Sequence, residues 1–178
     1  LLAMETAGVK QMIFSSSAAV YGTPDVERVT EATATAPESP YGESKLIGEW
    51  LLADQGRATG LRHTSLRYFN VVGSADPALS DTSPHNLFPM VFSALERGER
   101  PRIFGDDYAT PDGTCIRDYV HVVDLVAAHV LGLDWLRRSE AFPQGGTEVF
   151  CLGTGNGFSV REVVDQSRCV TNREVPMV

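Results

Sequence analysis

The chain has 178 residues, 43% of them hydrophobic and 21% charged, with 15 basic against 23 acidic side chains and a formal net charge of −8. That length fits one ordinary domain or a portion of a larger protein, and the composition is that of a globular chain able to hold a core. No apolar run approaches the roughly 18 residues of a membrane-spanning helix, and the negative charge repels a phosphate backbone, so membrane insertion and nucleic-acid binding are both disfavoured.

Leu1, Leu2, Met4 and Val9 fall near helical spacing with Gly8 as a stop, and Met12-Ile13-Phe14 follows as a short buried strand. Residues 23–37 lack apolar periodicity and read as a surface loop. A helix then opens with Ser39 as N-cap and Pro40 at its first position, carries Leu46, Ile47, Trp50, Leu51 and Leu52 as its apolar face, and ends at Gly56 or Gly60. His63 to Phe69 alternates as a strand, and residues 76–84 are loop. Leu87, Met90, Val91, Ala94 and Leu95 mark a helix closed by Gly98, followed by the short apolar run Ile103-Phe104 and a turn-rich stretch over 105–113. Val122 to Leu136 exceeds strand length and is expected to be a mostly buried helix. Glu148 to Leu152 is a strand, and Ser159-Val160-Arg161-Glu162 is a capping-box pattern opening a last helix. The run from Arg173 looks like the start of a further element. Together with a beginning that shows neither initiator Met nor leader pattern, it suggests a chain cut from a longer one.

Strands alternating with helices of ten or more residues predict an α/β fold, with a parallel sheet covered on both faces. Three cysteines without close pairs suit neither a disulfide framework nor a zinc site, and the four histidines show no ligand spacing, so no metal is expected and a reducing cytoplasm is the expected location.

Tyr41 and Lys45 stand four apart in the helix that begins after Ser39, on one face and about one turn from each other. With five tyrosines and only two lysines in the chain, this spacing is rare by chance. A neighbouring cation stabilises a phenolate and turns a phenol, which ordinarily titrates near pH 10, into a usable proton acceptor. An exposed Tyr beside a solvated Lys accounts for the spacing equally well. Ser15-Ser16-Ser17 follow an apolar strand, at the strand end where open α/β sheets bind ligands, although serines also end strands simply by satisfying backbone groups. Gly153-Thr154-Gly155-Asn156-Gly157 lacks the sixth position of a dinucleotide fingerprint and has no acidic residue about 20 positions on, so it reads as a tight turn delivering Ser159. Arg117 beside Asp118 fits either a surface ion pair or a bidentate phosphate contact.

Ser17, Tyr41 and Lys45 together resemble the catalytic group of the extended short-chain dehydrogenases/reductases. Four blocks, Phe14 to Gly22, Ser39 to Lys45, Leu66 to Gly73 and Asp112 to Val122, joined by His85-Asn86-Leu87 and Arg102-Ile103-Phe104-Gly105, are similar to the UDP-glucose 4-epimerase family of that NAD-dependent epimerase/dehydratase branch. The resemblance implies a partial Rossmann-like doubly wound sheet over residues 1–72. It implies part of a smaller UDP-sugar lobe over 73–178, with a return to the Rossmann domain around 114–152. It further implies NAD as cofactor, a UDP-sugar substrate, C4 oxidation and re-reduction as chemistry, and a homodimer formed through paired helices, one beginning near Ser39. Residue by residue, it gives Tyr41 proton transfer, Lys45 the nicotinamide ribose, Ser17 the sugar O4 and Phe69 the wall of the NAD site. Asn70, Asn86, Leu87, Arg102, Phe104 and Arg117 become substrate contacts. Related dehydratases carry an Asp-Glu pair near the serine, where this chain has Ala18-Ala19. The family's glycine-rich first turn would precede Leu1, and its last substrate contacts would follow Val178.

Overall fold

The computed structural model describes residues 1–138 and 146–173. They form two compact units, the first built from Leu1–Phe69 and Val123–Gly153, the second from Asn70–Val122 and the chain from Thr154 onward.

In the first unit a short helix α1 (Leu2–Thr6) leads into β1 (Gln11–Ser15), and helix α2 (Pro40–Thr59) connects it to β2 (Arg62–Tyr68). Later in the chain come α4 (Val122–Arg138) and β5 (Thr147–Leu152), while α3 (Leu87–Glu96), β3 (Asn70–Val72) and β4 (Ile116–His121) intervene. The sheet order is β1-β2-β5, all parallel, with Gln11 opposite Arg62, Ser15 opposite Leu66 and Tyr68 opposite Leu152. Strand alternation sends neighbouring residues to opposite faces. Phe14, Ser16 and Arg67 meet α2, whereas Ile13, Ser15 and Tyr68 meet α4. This is the parallel sheet covered on both sides that the alternation of elements predicts. Each helix offers a glycine to the strand beneath it. A Cβ at Gly48 of α2 would lie 2.6 Å from Phe14 Cζ, and one at Gly132 of α4 would lie 3.3 Å from Ile13 Cδ1.

Helix α2 starts as its cap residues dictate: Ser39 Oγ accepts the Gly42 N–H at 3.1 Å and Pro40 occupies the first turn. It ends at Gly60, which takes the left-handed conformation (φ 76°) that favours glycine. Its buried face, however, is Gly42, Leu46, Glu49, Leu52 and Gly56, while Ile47, Trp50 and Leu51 are exposed. Of the apolar face expected from the sequence, Leu46 and Leu52 therefore turn inward as expected while Ile47, Trp50 and Leu51 face outward, because the inward face also meets Arg67 on β2 and requires an acid there. Helix α4 differs from expectation in the same sense. Leu125, Gly132 and Leu136 are buried, but Val126, Val130 and Leu131 are exposed at 57–67%, so only one side of it covers the sheet. Between α4 and the sheet runs an apolar groove of about 660 Å³ lined by Leu66, Leu131, Trp135, Phe150 and Leu152.

The second unit holds a three-stranded sheet β3-β4-β6, with β6 at Gly157–Ser159, β3 parallel to β4 and β4 antiparallel to β6. Helices α3 and α5 (Val160–Thr171) pack through Val91, Leu95 and Val164, with Leu87, Ile103 and Val160 around them. The capping box at α5 is complete: Ser159 Oγ accepts the Glu162 N–H, and the Glu162 carboxylate accepts the Ser159 N–H. The first break between the units falls at Phe69/Asn70 rather than after residue 72, because Asn70–Val72 pairs with Tyr119–His121. The return to the first unit comes at Val123 rather than near 114, since Ile116–His121 belongs to that second sheet. Ile103-Phe104 forms no strand, and Phe104 is 72% exposed. The expected further element after Arg173 lies outside the described residues.

Candidate active site

Three groups meet at the carboxyl end of β1 in the first unit. Ser17 leaves the strand and caps the short 3-10 turn Ala18–Tyr21, its hydroxyl accepting the Ala19 N–H at 3.1 Å. The first turn of α2 lies directly against that turn. A Cβ at Gly42 would sit 2.5 Å from the Ala19 carbonyl oxygen, so only glycine permits the approach. Tyr41, next to Gly42, is 54% exposed. One helical turn on, the Lys45 ammonium lies 5.5 Å from the centroid of the Tyr41 ring and donates to the Ser15 carbonyl oxygen at 2.8 Å. The same ammonium is 5.5 Å from the Phe14 ring centroid. A phenol, a cation and a run of hydroxyls thus share one locality where parallel strands end, the place at which such sheets take ligands.

Beneath them is a buried polar network that sequence spacing does not announce. Arg67 Nε and Nη2 donate to the two Glu49 carboxylate oxygens at 2.9 and 2.6 Å, with both side chains under 10% exposed. Ser16 Oγ donates to Glu49 Oε1 at 2.5 Å, and Arg67 Nη1 donates to the Tyr21 hydroxyl at 2.9 Å. That hydroxyl also pairs with Cys151 Sγ at 3.0 Å. Burial, reinforced by the thiol, pushes the Tyr21 pKa up to about 12 against the pull of Arg67, so this phenol stays protonated. Burial likewise raises the Cys151 thiol. The network then reaches the long loop: the Cys151 backbone N–H donates to Glu31 at 2.8 Å, which lowers the Glu31 carboxyl pKa. One signal was available in the sequence, since Glu49 continues the stripe of Tyr41 and Lys45 at the same four-residue step.

On the other face, Ser15 Oγ pairs with His129 Nε2 at 3.1 Å, and His129 Nδ1 donates to the Leu125 carbonyl oxygen at 2.8 Å, since a carbonyl only accepts. Phe69, half-buried just after β2, donates its N–H to the Leu152 carbonyl at 3.2 Å.

The remaining expected substrate residues lie in the second unit. Asn70 is exposed and spends its amide on the Asp118 carbonyl at 2.9 Å, tying β3 to β4. Asn86 precedes α3 without capping it and donates to Asp81 at 2.7 Å. Leu87 packs on the α3–α5 core. Arg102, Phe104 and Arg117 are exposed, and Arg117 donates to the Ile116 carbonyl at 3.1 Å. No hydrogen bond or ion pair joins Asn70, Asn86, Arg102, Phe104 and Arg117 to one another among the described residues. The Asp118 carboxylate takes the N–H groups of Thr154 and Gly155, each at 2.9 Å. Those amides are the donors a phosphate would need, so this glycine-rich turn is a structural one.

Residues 1–145 match the NAD dependent epimerase/dehydratase family. The chain is 49% identical over 176 residues to a UDP-glucose 4-epimerase of Azospirillum brasilense, an alignment covering 96% of this chain and 49% of that protein. It superposes on UDP-glucose 4-epimerase of Brucella ovis in complex with NAD (TM-score 0.85, 44% identity, 99% of this chain, 54% of that one). It also superposes on the Bifidobacterium longum enzyme in complex with NAD+ and UDP (TM-score 0.84, 38% identity, 99% of this chain, 53% of that one). The chain spans about half the length of the curated relatives it matches. A family match over most of the chain, on a sheet that gathers Tyr41, Lys45 and the serine run at its carboxyl end, places this chain in the NAD dependent epimerase/dehydratase family.

Proposed function

We propose that the whole protein carrying this chain interconverts UDP-glucose and UDP-galactose, with Tyr41 as the proton-transfer residue, Ser17 as the hydroxyl beside the sugar O4, and Lys45 as the cation that supports both. The observation that carries the reading is the placement of the Lys45 ammonium, in reach of the Tyr41 ring and bonded to the serine run. Relatives solved with NAD, and with NAD+ and UDP, support the cofactor and substrate class. The residues present suit the nicotinamide end of such a cofactor, because an exposed phenol and a lysine flank the strand end with Phe69 close by in sequence to β2. The turn at Thr154–Gly155 does not suit its pyrophosphate, being filled by Asp118.

NAD, when bound, supplies the acceptor for a hydride from C4 of the sugar and its return. The chain's own residues move the proton. Tyr41 takes it from the O4 hydroxyl as the carbon is oxidised, with Ser17 bridging, and gives it back on re-reduction. Lys45 is the cation beside the phenol, its ammonium 5.5 Å from the Tyr41 ring centroid. Inversion at C4 requires the keto sugar to present both faces, so the nucleotide is gripped and the sugar is held loosely. Asn70, Asn86, Leu87, Arg102, Phe104 and Arg117 are the proposed nucleotide and sugar contacts, and Phe69 the proposed wall of the cofactor site. We further propose a cytoplasmic homodimer whose seam includes the outward stripe Ile47, Trp50 and Leu51 of α2, each 49–59% exposed.

The test is an assay of the whole protein with UDP-galactose, UDP-N-acetylgalactosamine and dTDP-glucose, with bound NAD detected by absorbance and mass by sedimentation. The expected result is turnover of UDP-galactose, and a fall on the order of 10²–10⁴-fold in kcat for Tyr41→Phe. Bound dinucleotide without turnover of any sugar would make the protein a binding module.

A further inference from the structure

We propose that Glu49 and Arg67 are positioning residues for this reaction: a buried ion pair that holds both ends of the segment carrying Ser17 against the helix carrying Tyr41 and Lys45. The inference rests on the reading of those three as the reacting groups.

Tyr41, Lys45 and Glu49 follow one another at four-residue steps along one stripe of α2. The strand end runs beside that stripe and is bonded to it twice. Lys45 Nζ donates to the Ser15 carbonyl at 2.8 Å, and Ser16 Oγ donates to Glu49 Oε1 at 2.5 Å. Adjacent residues of the serine run are therefore tied to α2 one helical turn apart. Arg67, from the carboxyl end of β2, binds the Glu49 carboxylate through two parallel bonds, the geometry that leaves neither group free to rotate. Its third nitrogen reaches the Tyr21 hydroxyl at 2.9 Å, and its guanidinium lies 5.0 Å from the Tyr21 ring centroid. Tyr21 closes the 3-10 turn that Ser17 opens. Ser17 is bracketed as a result, with Ser16 before it fixed by Glu49 and Tyr21 after it fixed by Arg67.

The choice of a charged pair matters here. A buried ion pair adds little net stability over a well-packed apolar pair of the same volume, because desolvation consumes the Coulombic gain. What it adds is direction, since hydrogen bonds fix angles as well as distances. A proton shuttle between a phenol, a serine hydroxyl and a sugar oxygen needs that direction, and a misplacement of about 1 Å costs such a reaction up to about 100-fold.

The experiment compares the whole wild-type protein with Glu49→Leu/Arg67→Met, which removes both charges at similar volume. Two milder variants are Ser16→Ala, which removes the bond to Glu49, and Tyr21→Phe, which removes the bonds to Arg67 and Cys151. Thermal midpoint, bound NAD, kcat and KM for UDP-galactose are measured for each. The expected pattern in the double variant is a kcat lowered about 10- to 100-fold, with KM within about threefold, NAD retained and a cooperative melt. Ser16→Ala is expected to lower kcat about three- to tenfold, and if the double variant does not fold the two milder variants decide the matter. Folded variants with wild-type kcat overturn the positioning role alone, as does a loss of rate that vanishes at an assay temperature well below the melt. Absence of turnover in the wild type overturns the functional reading and the role together.

Discussion

The two faces of the first unit's sheet are held by different forces. On the α2 face, Ser16, Arg67, Glu49, Tyr21 and Cys151 form a continuous chain of hydrogen bonds around one ion pair. On the α4 face the contacts are mainly apolar. Trp135 meets Phe150 edge to face at 5.5 Å between centroids, and a groove remains beside them. Hydrogen bonds and ion pairs fix angles, whereas apolar packing fixes volume and tolerates rearrangement among shapes of similar size. The wired face is the one that bears Tyr41 and Lys45. The comparison teaches that this sheet concentrates its directional interactions on the face that carries Tyr41 and Lys45, and its non-directional ones where a helix has only to cover strands.

The sharpest way to break that comparison is to orphan one charge on the wired face. Arg67→Leu leaves the Glu49 carboxylate buried without its bidentate partner and should cost about 3–5 kcal/mol in chemical denaturation of the whole protein. Leu66→Ala, on the opposite side of the same strand, removes a side chain 2% exposed but bordering the groove, and should fall toward the low end of about 2–5 kcal/mol. A second probe uses the paired glycines. Gly48→Ala drives a methyl into the Phe14 ring and should destabilise by about 1–3 kcal/mol. Gly132→Ala meets only the mobile end of Ile13 and gains helix propensity, so its thermal midpoint should move little, by the equivalent of about 1 kcal/mol or less in either direction.

A further probe of the wired face is pH. His63 is fully buried on the α2 face, and neither ring nitrogen finds a partner among the described residues. Burial lowers its pKa, with Glu49 pulling weakly the other way. The unfolded chain therefore binds a proton more readily than the folded one, and stability is lost as pH falls through the ordinary value near 6.5, by at most about 1.4 kcal/mol per pH unit. His63→Leu should flatten this part of the stability profile without changing it above about pH 7.5. An unchanged slope between pH 7 and 5 would show that other groups carry it.

Much of the fold was legible because it is written locally. Ser39 with Pro40, Ser159 with Glu162, and the Tyr41–Lys45 step each declare themselves within a few residues, and all form as the spacing predicts. The three short strands β3, β4 and β6 were not legible. Their partners are remote, as Asn70 opposite Tyr119 shows, and in β3 and β6 three residues carry too little periodicity to mark a strand. The buried side of α2 was misread for a related reason. Glu49 turns inward only because Arg67, on a different element, awaits it, while Trp50 and Leu51 count as core on hydropathy alone. The Asp118 carboxylate that fills the Thr154–Gly155 turn is 36 residues away in sequence and equally invisible to local spacing.

The stripe of Tyr41, Lys45 and Glu49 also sets what kinds of length change α2 can bear. Each residue turns a helix by about 100°, so one inserted amino acid between Tyr41 and Glu49 would swing the carboxylate away from Arg67 or the phenol away from the serines. An insertion in residues 23–37, upstream of the stripe, leaves its phase untouched. Within this protein, tolerance to insertion should therefore drop abruptly at Ser39, where the helix begins to act as a ruler.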